Sequence, residues 1–490
     1  MRLSELIEGA AAVPPLAVRD PDIAGIAADS REIRPGYLFA ALPGRVGDGR
    51  RFIDDALRRG AVAVLAAPGL RIGDRPVSVL ADDNPRRRLA LMAARFFIRQ
   101  PRYIAAVTGT NGKTSVASFA RQLWTLMGHK AASLGTLGLH GPGFDRQGSL
   151  TTPDPLALHR DLAALADAGI DRVAMEASSH GLDQYRLDGA VLTAAAFTNL
   201  TRDHLDYHPS MGDYFKAKLR LFTTVLPPGG VAVLNADGSE FGQLYEACAA
   251  RGHRIVTYGE RGHDIRLRAA TPQADGQNLD IEIMGRRCVV EFPLPASFQA
   301  MNALCALGLV LGVDGFTEAA IDAAIRVLPL LEGVPGRLQH AATLARGGMV
   351  YVDYAHTPDA LETVLTALRP HARGRLAVVF GCGGDRDPGK RPLMGAIACR
   401  LADSVVVTDD NPRSEDPAVI RRQILASCPG AREIGARAAA IGTAIDELGP
   451  GDILVVAGKG HEPGQIVGTE ILPFDDIEAC RQAAATHGAA

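Results

Sequence analysis

The chain has 490 residues, a length that corresponds to about three domains, with 47% hydrophobic residues, 22% charged residues and a formal net charge of −3. These values exclude wholesale disorder, and the charge argues against a broad basic surface for nucleic-acid backbones. Residues 1–16 carry Glu5, Glu8 and then Pro14-Pro15 where a secretory leader needs an apolar run, and no stretch approaches 18 unbroken apolar residues, so neither export nor membrane spanning is expected. The seven cysteines (Cys248, Cys288, Cys305, Cys382, Cys399, Cys428, Cys480) form no CxxC pair, which fits unpaired thiols in a reducing cytoplasm. Only six of the 52 basic residues are lysine: Lys113, Lys130, Lys216, Lys218, Lys390 and Lys459. In so arginine-biased a chain, a lysine marks a place where a compact, titratable ammonium is worth checking for.

In chain order, residues 36–41, 61–65 and 77–80 read as short strands and 85–98 as a helix, making a small α/β unit that ends near Gln100-Pro101. From Tyr103 the pattern becomes strand, glycine-rich turn, helix: YIAAV, TGTNGKT, SVASFARQLWTLMG. The apolar runs 172–177, 193–200 and 231–237 each end in polar residues. A β-rich stretch follows at 265–292, then a helix around 303–310. After the VPGR turn at 334–337 a third α/β series carries the strands MVYVDY, RLAVVFG, SVVVTDD and ILVVAGKG. Polar motifs sit just beyond the C-terminal ends of these strands, where open parallel sheets place their ligands. The expected architecture is α/β in three domains: 1–101, 102–334 and 335–490.

The strongest motif is Thr108-Gly109-Thr110-Asn111-Gly112-Lys113-Thr114-Ser115. Its glycines let backbone N–H groups turn onto phosphate oxygens, and the helix N-terminus adds positive potential. Lys113 reaches the β- and γ-phosphates in such a loop, and Thr114 ligates Mg²⁺. Val107 stands where the usual GxxxxGK[ST] pattern has its first glycine. Glu176, in MEASSHGL at the end of a strand, is placed for the phosphate-bound metal. The segment Asn199-Leu200-Thr201-Arg202-Asp203-His204-Leu205-Asp206-Tyr207-His208 concentrates metal-capable groups after another strand. Lys218 lies in YFKAKLRLF among apolar residues; on the residues alone a snorkelling helical lysine is the favoured reading. Were it buried, its neutral amine would be favoured and open to addition of CO₂.

Together TGTNGKTS, MEASSHGL, NLTRDHLDYH, YFKAK and VDYAHTPDAL resemble the Mur ligase family of ATP-dependent amide-bond-forming enzymes. The match runs in order from Asp29-Ser30-Arg31 to Gly458-Lys459-Gly460-His461-Glu462. The resemblance implies a first domain that binds UDP through Ser30 and the turn Arg45-Val46-Gly47. It implies a P-loop-type central domain and a Rossmann-like C-terminal domain. Thr151, Thr152, Ser178, Gln184 and Arg186 match positions contacting a UDP-muramoyl-dipeptide. ATP contacts fall to Gly109, Thr110, Asn111, Gly112, Lys113, Thr114, Ser115, Asn302, Arg337 and Asp353. Mg²⁺ ligands fall to Thr114, Glu176, His204 and Lys218, the last as a CO₂-derived carbamate; Lys113, Lys218 and His204 are then the catalytic set. The role of His356 in the same DYAHTP motif stays open.

Asp410-Asn411-Pro412-Arg413 resembles the motif of the family branch that adds meso-diaminopimelate to the dipeptide, which implies that activity in peptidoglycan precursor synthesis. Pro412 stiffens a turn whose Arg413 can clamp a carboxylate in a bidentate fork. The resemblance adds Arg386, Gly458 and Glu462 to that pocket. The expected partners are small molecules, for a cytoplasmic and monomeric enzyme that binds neither nucleic acid nor membrane. Competing readings are a lysine-adding ligase, a folylpolyglutamate synthetase, and a P-loop switch that forms no bond.

Overall fold

The computed structural model describes residues 1–7, 20–44, 47–70, 72, 75–148, 150–273 and 275–486. Among these, three α/β sheets follow one another along the chain, with a small two-stranded hairpin near the end. The first sheet is parallel, its strands Gly25–Ala27, Tyr37–Ala40, Ala63–Ala66 and Ser78–Ala81 lying in chain order. Helix Pro85–Phe97 starts where its sequence dictates: the Asn84 side chain accepts from Arg87 N–H and proline takes the first turn. Its Leu89 and Met92 pack on Leu38, Leu65 and Leu80.

The central sheet has eleven strands. Their order is Arg286–Phe292, Gln277–Ile283, Ile265–Pro272, Arg254–Gly259, Val231–Asn235, Ala194–Phe197, Tyr103–Thr108, Arg172–Glu176, Ala131–Gly135, Gly138–Gly141, Phe144–Arg146. The run from Arg254–Gly259 to Ala131–Gly135 is parallel. Tyr103–Thr108 lies in its middle, and its interior, Ile104 to Val107, is apolar because both faces are covered. Ala105 and Val107 meet Val116, Phe119 and Leu123 on one side; Ile104 and Ala106 meet Leu158 and Leu162 on the other. The expected helix around 303–310 extends over Ser297–Asp314 and packs against the loop helix Lys113–Leu126. It is long and apolar enough by composition to cross a membrane, but 72% of it is buried inside the protein as a core helix.

The third sheet orders Gln339–Thr343, Met349–Asp353, Ile453–Ala457, Leu376–Phe380, Ser404–Val407 and Arg432–Glu433, parallel except for its first strand. Helices Pro358–Leu368, Lys390–Leu401 and Pro417–Leu425 cover one face, while Arg437–Asp446 and Asp476–Ala485 cover the other. The connections therefore reverse between Ile453–Ala457 and Leu376–Phe380, and the crevice beyond their C-terminal ends is the expected ligand position.

Candidate active site

The glycine-rich loop is shaped by contacts that leave no room for side chains at two positions. Gly109 has φ +143°, and a Cβ there would stand 1.9 Å from Thr198 Oγ1; at Gly112, φ is +88° and a Cβ would meet Asn302 Oδ1 at 2.4 Å. The loop is tied to the neighbouring strand end, with Thr110 N–H donating to Asn199 O (2.8 Å), Asn111 N–H to Asn199 Oδ1 (2.9 Å) and Thr198 Oγ1 to Asn111 O (2.6 Å). Helix Lys113–Leu126 begins at Gly112 with no side-chain cap. Its first amides thus face outward beside the loop, the setting in which phosphate oxygens are bound.

Two lysines converge on one carbonyl of this loop. Lys113 Nζ donates to Gly109 O (3.0 Å) and Thr110 O (2.7 Å), and Lys218 Nζ donates to the same Gly109 O at 2.7 Å. The snorkelling expected for Lys218 is not what the fold does: the residue is 1% exposed. Its helix, Met211–Arg220, is capped by Ser210 and turns Lys218 inward, with Nζ 4.3 Å from the centre of the Tyr214 ring. Burial, reinforced by the nearby Lys113 charge, pushes the Lys218 amine well below the ordinary lysine range. Burial lowers Lys113 as well, although Glu176 and Asp203 oppose it. Lys130 and Lys216 are exposed, as surface lysines should be.

Glu176 and Thr114 meet as the sequence suggests, Thr114 Oγ1 donating to Glu176 Oε2 at 3.1 Å. Thr136, which sequence reasoning missed, also belongs here: its N–H and Oγ1 reach the two Glu176 oxygens at 2.7 and 3.1 Å, and its hydroxyl contacts Thr151 Oγ1 at 3.0 Å. Its position just past strand Ala131–Gly135 was the available signal. Tyr214 was missed too. It lies four residues before Lys218 on the same helical face, and its hydroxyl is 3.1 Å from Thr110 Oγ1.

His204 has φ +54° and lies in a ring cluster with His180 at 4.9 Å and Tyr214 at 6.0 Å. Burial lowers His204 below the usual histidine range and takes His180 down to about 4. Among the described residues no three His, Cys, Asp or Glu side chains form a ready-made metal centre. The hydroxyl and carboxylate oxygens of Thr114 and Glu176 nevertheless suit Mg²⁺ shared with substrate phosphates, the usual arrangement for that ion.

The candidate dipeptide contacts form a connected patch. Ser178 caps the helix that follows Glu176 and lies 3.1 Å from Thr152 Oγ1, which donates to Glu176 O at 2.9 Å. Arg186 donates to Thr152 O (2.6 Å) and Gln184 Oε1 (2.8 Å). Ser30, which is hydrogen-bonded to the Asp55 carboxylate, and Gly47 belong to the first unit, and among the described residues neither joins this network. Arg45 and Val46 lie outside the described residues.

The third unit closes over the loop. Arg337 Nη2 lies 3.5 Å from Thr114 Oγ1 and its guanidinium stacks 4.7 Å from the Tyr354 ring centre; Asn111 Nδ2 reaches Asp359 Oδ2 at 3.3 Å. Asn302 and Ser115 are buried beside the loop. Asp353 accepts from Leu338 N–H (2.6 Å) and Ala355 N–H (2.8 Å), and its burial raises the carboxyl to about 6. His356 is exposed, with Nδ1 2.8 Å from Tyr354 O, and Lys390 Nζ donates to the His356 carbonyl.

Beyond the third sheet's strand ends, Arg413 has φ +52° and donates from Nη1 to Gly384 O at 2.8 Å. The same Nη1 lies 3.5 Å from Asn411 O, and the Asp385 carboxylate is near enough to feel the guanidinium charge, while among the described residues Nε and Nη2 make no hydrogen bond and can meet a carboxylate. Asp410 lies against Gly458, where a Cβ would meet Asp410 Oδ2 at 2.5 Å. Pro412 is buried and Arg386 exposed. Asn411 Nδ2 donates to Glu462 Oε2 (2.8 Å), and buried Lys459 pairs with the same oxygen at 3.2 Å. Together with the Tyr354 hydroxyl, which also bonds this carboxylate, these donors hold Glu462 in place rather than leaving it to swing free.

A glycine-rich loop ending in an uncapped helix, with two lysines upon it and a third α/β unit folded over it, defines a P-loop nucleotide-binding enzyme of several domains. Three family models match the chain: "Mur ligase family, catalytic domain" over 22–97, "Mur ligase middle domain" over 107–310 and "Mur ligase, glutamate ligase domain" over 336–460. The UDP-N-acetylmuramoyl-L-alanyl-D-glutamate–2,6-diaminopimelate ligase of Bradyrhizobium diazoefficiens is 53% identical, with 99% of each chain covered. That of Caulobacter vibrioides is also 53% identical, covering 95% of this chain and 96% of its own. A solved structure of a ligase of that name superposes with a TM-score of 0.70 at 33% identity, covering 95% of both chains. The Thermotoga maritima MurF ligase, solved with ADP, shares the fold with a TM-score of 0.63 at 18% identity, covering 94% of this chain and 97% of its own. The chain belongs to the Mur ligase family, and is an enzyme of the ligase class.

Proposed function

We propose that this enzyme adds meso-diaminopimelate to UDP-N-acetylmuramoyl-L-alanyl-D-glutamate at the expense of ATP, in the synthesis of peptidoglycan precursors. The reading is supported above all by Lys218, a second buried lysine hydrogen-bonded to the P-loop carbonyl of Gly109 at 2.7 Å, in a chain 53% identical to ligases of that name. A free carboxylate is a poor acyl donor because its leaving group would be oxide. Phosphoryl transfer from ATP gives an acyl phosphate and ADP; the incoming amine attacks it, and phosphate leaves. Two polyanions must meet, so positioning and charge neutralisation dominate.

Lys113 and the uncapped amides of its helix bind the ATP phosphates, and Arg337 reaches them from the third unit. Thr114, Glu176 and His204 would hold Mg²⁺, and Lys218 as a carbamate would complete the set. When bound, Mg²⁺ supplies Lewis-acid neutralisation of phosphate charge. Ser30, Arg45, Val46 and Gly47 take the UDP group; Thr151, Thr152, Ser178, Gln184 and Arg186 orient the dipeptide. Arg413, with Arg386, Asp410, Asn411, Gly458 and Glu462, takes the amino acid. The domains divide at 1–101, 102–334 and 335–490, and closure of the third over the second excludes water that would hydrolyse the acyl phosphate. The enzyme works as a monomer in the cytoplasm, consistent with seven free cysteines.

Phosphate release tests this directly. ATP, the UDP-muramoyl-dipeptide and meso-diaminopimelate together should release phosphate in step with a peptide-extended UDP product, and omission of any one should stop it. Release from ATP alone at the full rate would favour a switch; release with a folate and glutamate would favour the folylpolyglutamate reading.

A further inference from the structure

Beneath the amino-acid pocket lies a buried ion pair with no contact to solvent. The Arg437 and Asp476 side chains are both 0% exposed, and Arg437 Nε and Nη2 each reach a separate Asp476 oxygen at 2.7 Å. The same guanidinium donates from Nη2 to Ala457 O at 3.0 Å and from Nη1 to Asp409 O at 3.4 Å. Asp409 and Ala457 immediately precede Asp410 and Gly458. Ala457 ends strand Ile453–Ala457, and Asp409 lies two residues past strand Ser404–Val407; these strands are not neighbours, for Leu376–Phe380 runs between them. One planar fork therefore spans the sheet end and ties together the two segments that carry Arg413 and Glu462.

We propose that Arg437, locked by Asp476, is a positioning residue for the amino-acid substrate, setting the separation between the Asp410–Arg413 turn and the 458–462 loop. Among the described residues neither side chain hydrogen-bonds a pocket side chain; the Asp410 carboxylate is near enough to favour the Arg437 charge, and the hydrogen-bonded link runs through the two carbonyls. A buried pair of this kind contributes little net stability compared with apolar residues of similar volume, whereas its geometry is demanding. Fixed spacing is what it supplies here. Asp476 opens the helix Asp476–Ala485, beyond the 336–460 segment that the family model matches, so the end of the chain buttresses the pocket. The inference rests on the reading of these loops as the amino-acid site.

Two variants test it. Arg437→Met with Asp476→Leu replaces the pair by apolar volume, and Arg437→Lys keeps a charge but cannot span both carbonyls. Each should raise KM for meso-diaminopimelate about tenfold, leaving KM for ATP and for the UDP-muramoyl-dipeptide nearly unchanged, while the melting temperature falls modestly because buried carbonyls lose a donor. Amide exchange at 409–413 and 457–462 should accelerate in both segments together. Unchanged KM values with unchanged exchange, or a parallel rise of all three KM values, would overturn it. If the double variant does not fold, Arg437→Lys decides. If the unaltered enzyme ignores diaminopimelate, the pocket reading fails by itself, and coupled exchange of the two segments still decides the positioning claim.

Discussion

At Lys218 an amine is buried beside a second lysine, with a backbone carbonyl and an aromatic ring for company. An ammonium there is costly, and the neutral amine that burial favours is the form that adds CO₂. A carbamate would convert an unfavourable cation into an anionic metal ligand. Lys218→Ala should therefore lower ligation by about a hundredfold or more, with excess bicarbonate giving no recovery and a small free carboxylic acid restoring part of it. Turnover like that of the unaltered enzyme would contradict the assignment. The lysine was visible in the sequence as one of six, but its burial was not. Apolar neighbours in YFKAKLRLF fit a snorkelling side chain equally well, and only the packing of Met211–Arg220 on the loop distinguishes the two. Arg437 and Asp476 were wholly illegible, since nothing in either segment announces a partner 39 residues away.

The elements that carry the site were legible where local rules suffice. A strand, TGTNGKT and a helix can be read from apolar periodicity and glycine placement, and the structure has them at Tyr103–Thr108 and Lys113–Leu126. Helix Ser297–Asp314 was underestimated at both ends: no side-chain cap marks its start, and Gly312 depresses helix propensity near its end. Gly308 and Gly312 admit Val233 and Val231, for a Cβ at either would stand 2.7 or 2.8 Å from a valine methyl. The loop glycines permit a sharp comparison. Gly112→Ala meets both positive φ and Asn302 at 2.4 Å, whereas Gly128→Ala has φ +91° with open space around it. The former should cost on the order of 1–3 kcal/mol and abolish ATP binding. The latter should cost about 1 kcal/mol and leave ATP affinity intact. Urea unfolding and ATP titration of both variants check this; equal ATP affinities would contradict the loop's role.

Across the whole molecule, the contacts that join units lie far apart in sequence and were not legible. Arg337 and Thr114 are 223 residues apart, and Asn111 and Asp359 are 248 apart. Asp188 is another such hub: it accepts from Arg87 of the first unit at 2.9 Å and from Arg220, two residues beyond Lys218, at 2.7 Å. His159 Nε2 donates to the Asp188 carbonyl at 3.0 Å, while its Nδ1 is buried without a partner. Burial lowers this ring from 6.5 to about 4. The folded protein then binds fewer protons than the unfolded chain between those values, so stability present above pH 6.5 is lost as pH falls through 4. The loss amounts to about 3 kcal/mol, and His159→Gln should flatten that part of the profile. Identical pH dependence in the two proteins, followed by urea unfolding, would contradict it.

Arg413 joins residue, pocket and function, and the choice between meso-diaminopimelate and L-lysine depends on it. The two amino acids differ by one distal carboxylate. With lysine bound, the guanidinium would be desolvated without a partner, at a cost on the order of 3–5 kcal/mol. Measured with ATP and the UDP-muramoyl-dipeptide, kcat/KM for meso-diaminopimelate should exceed that for L-lysine by at least about a hundredfold, and Arg413→Ala should erase most of that difference. Comparable kcat/KM values for the two amino acids in the unaltered enzyme would contradict the proposed function.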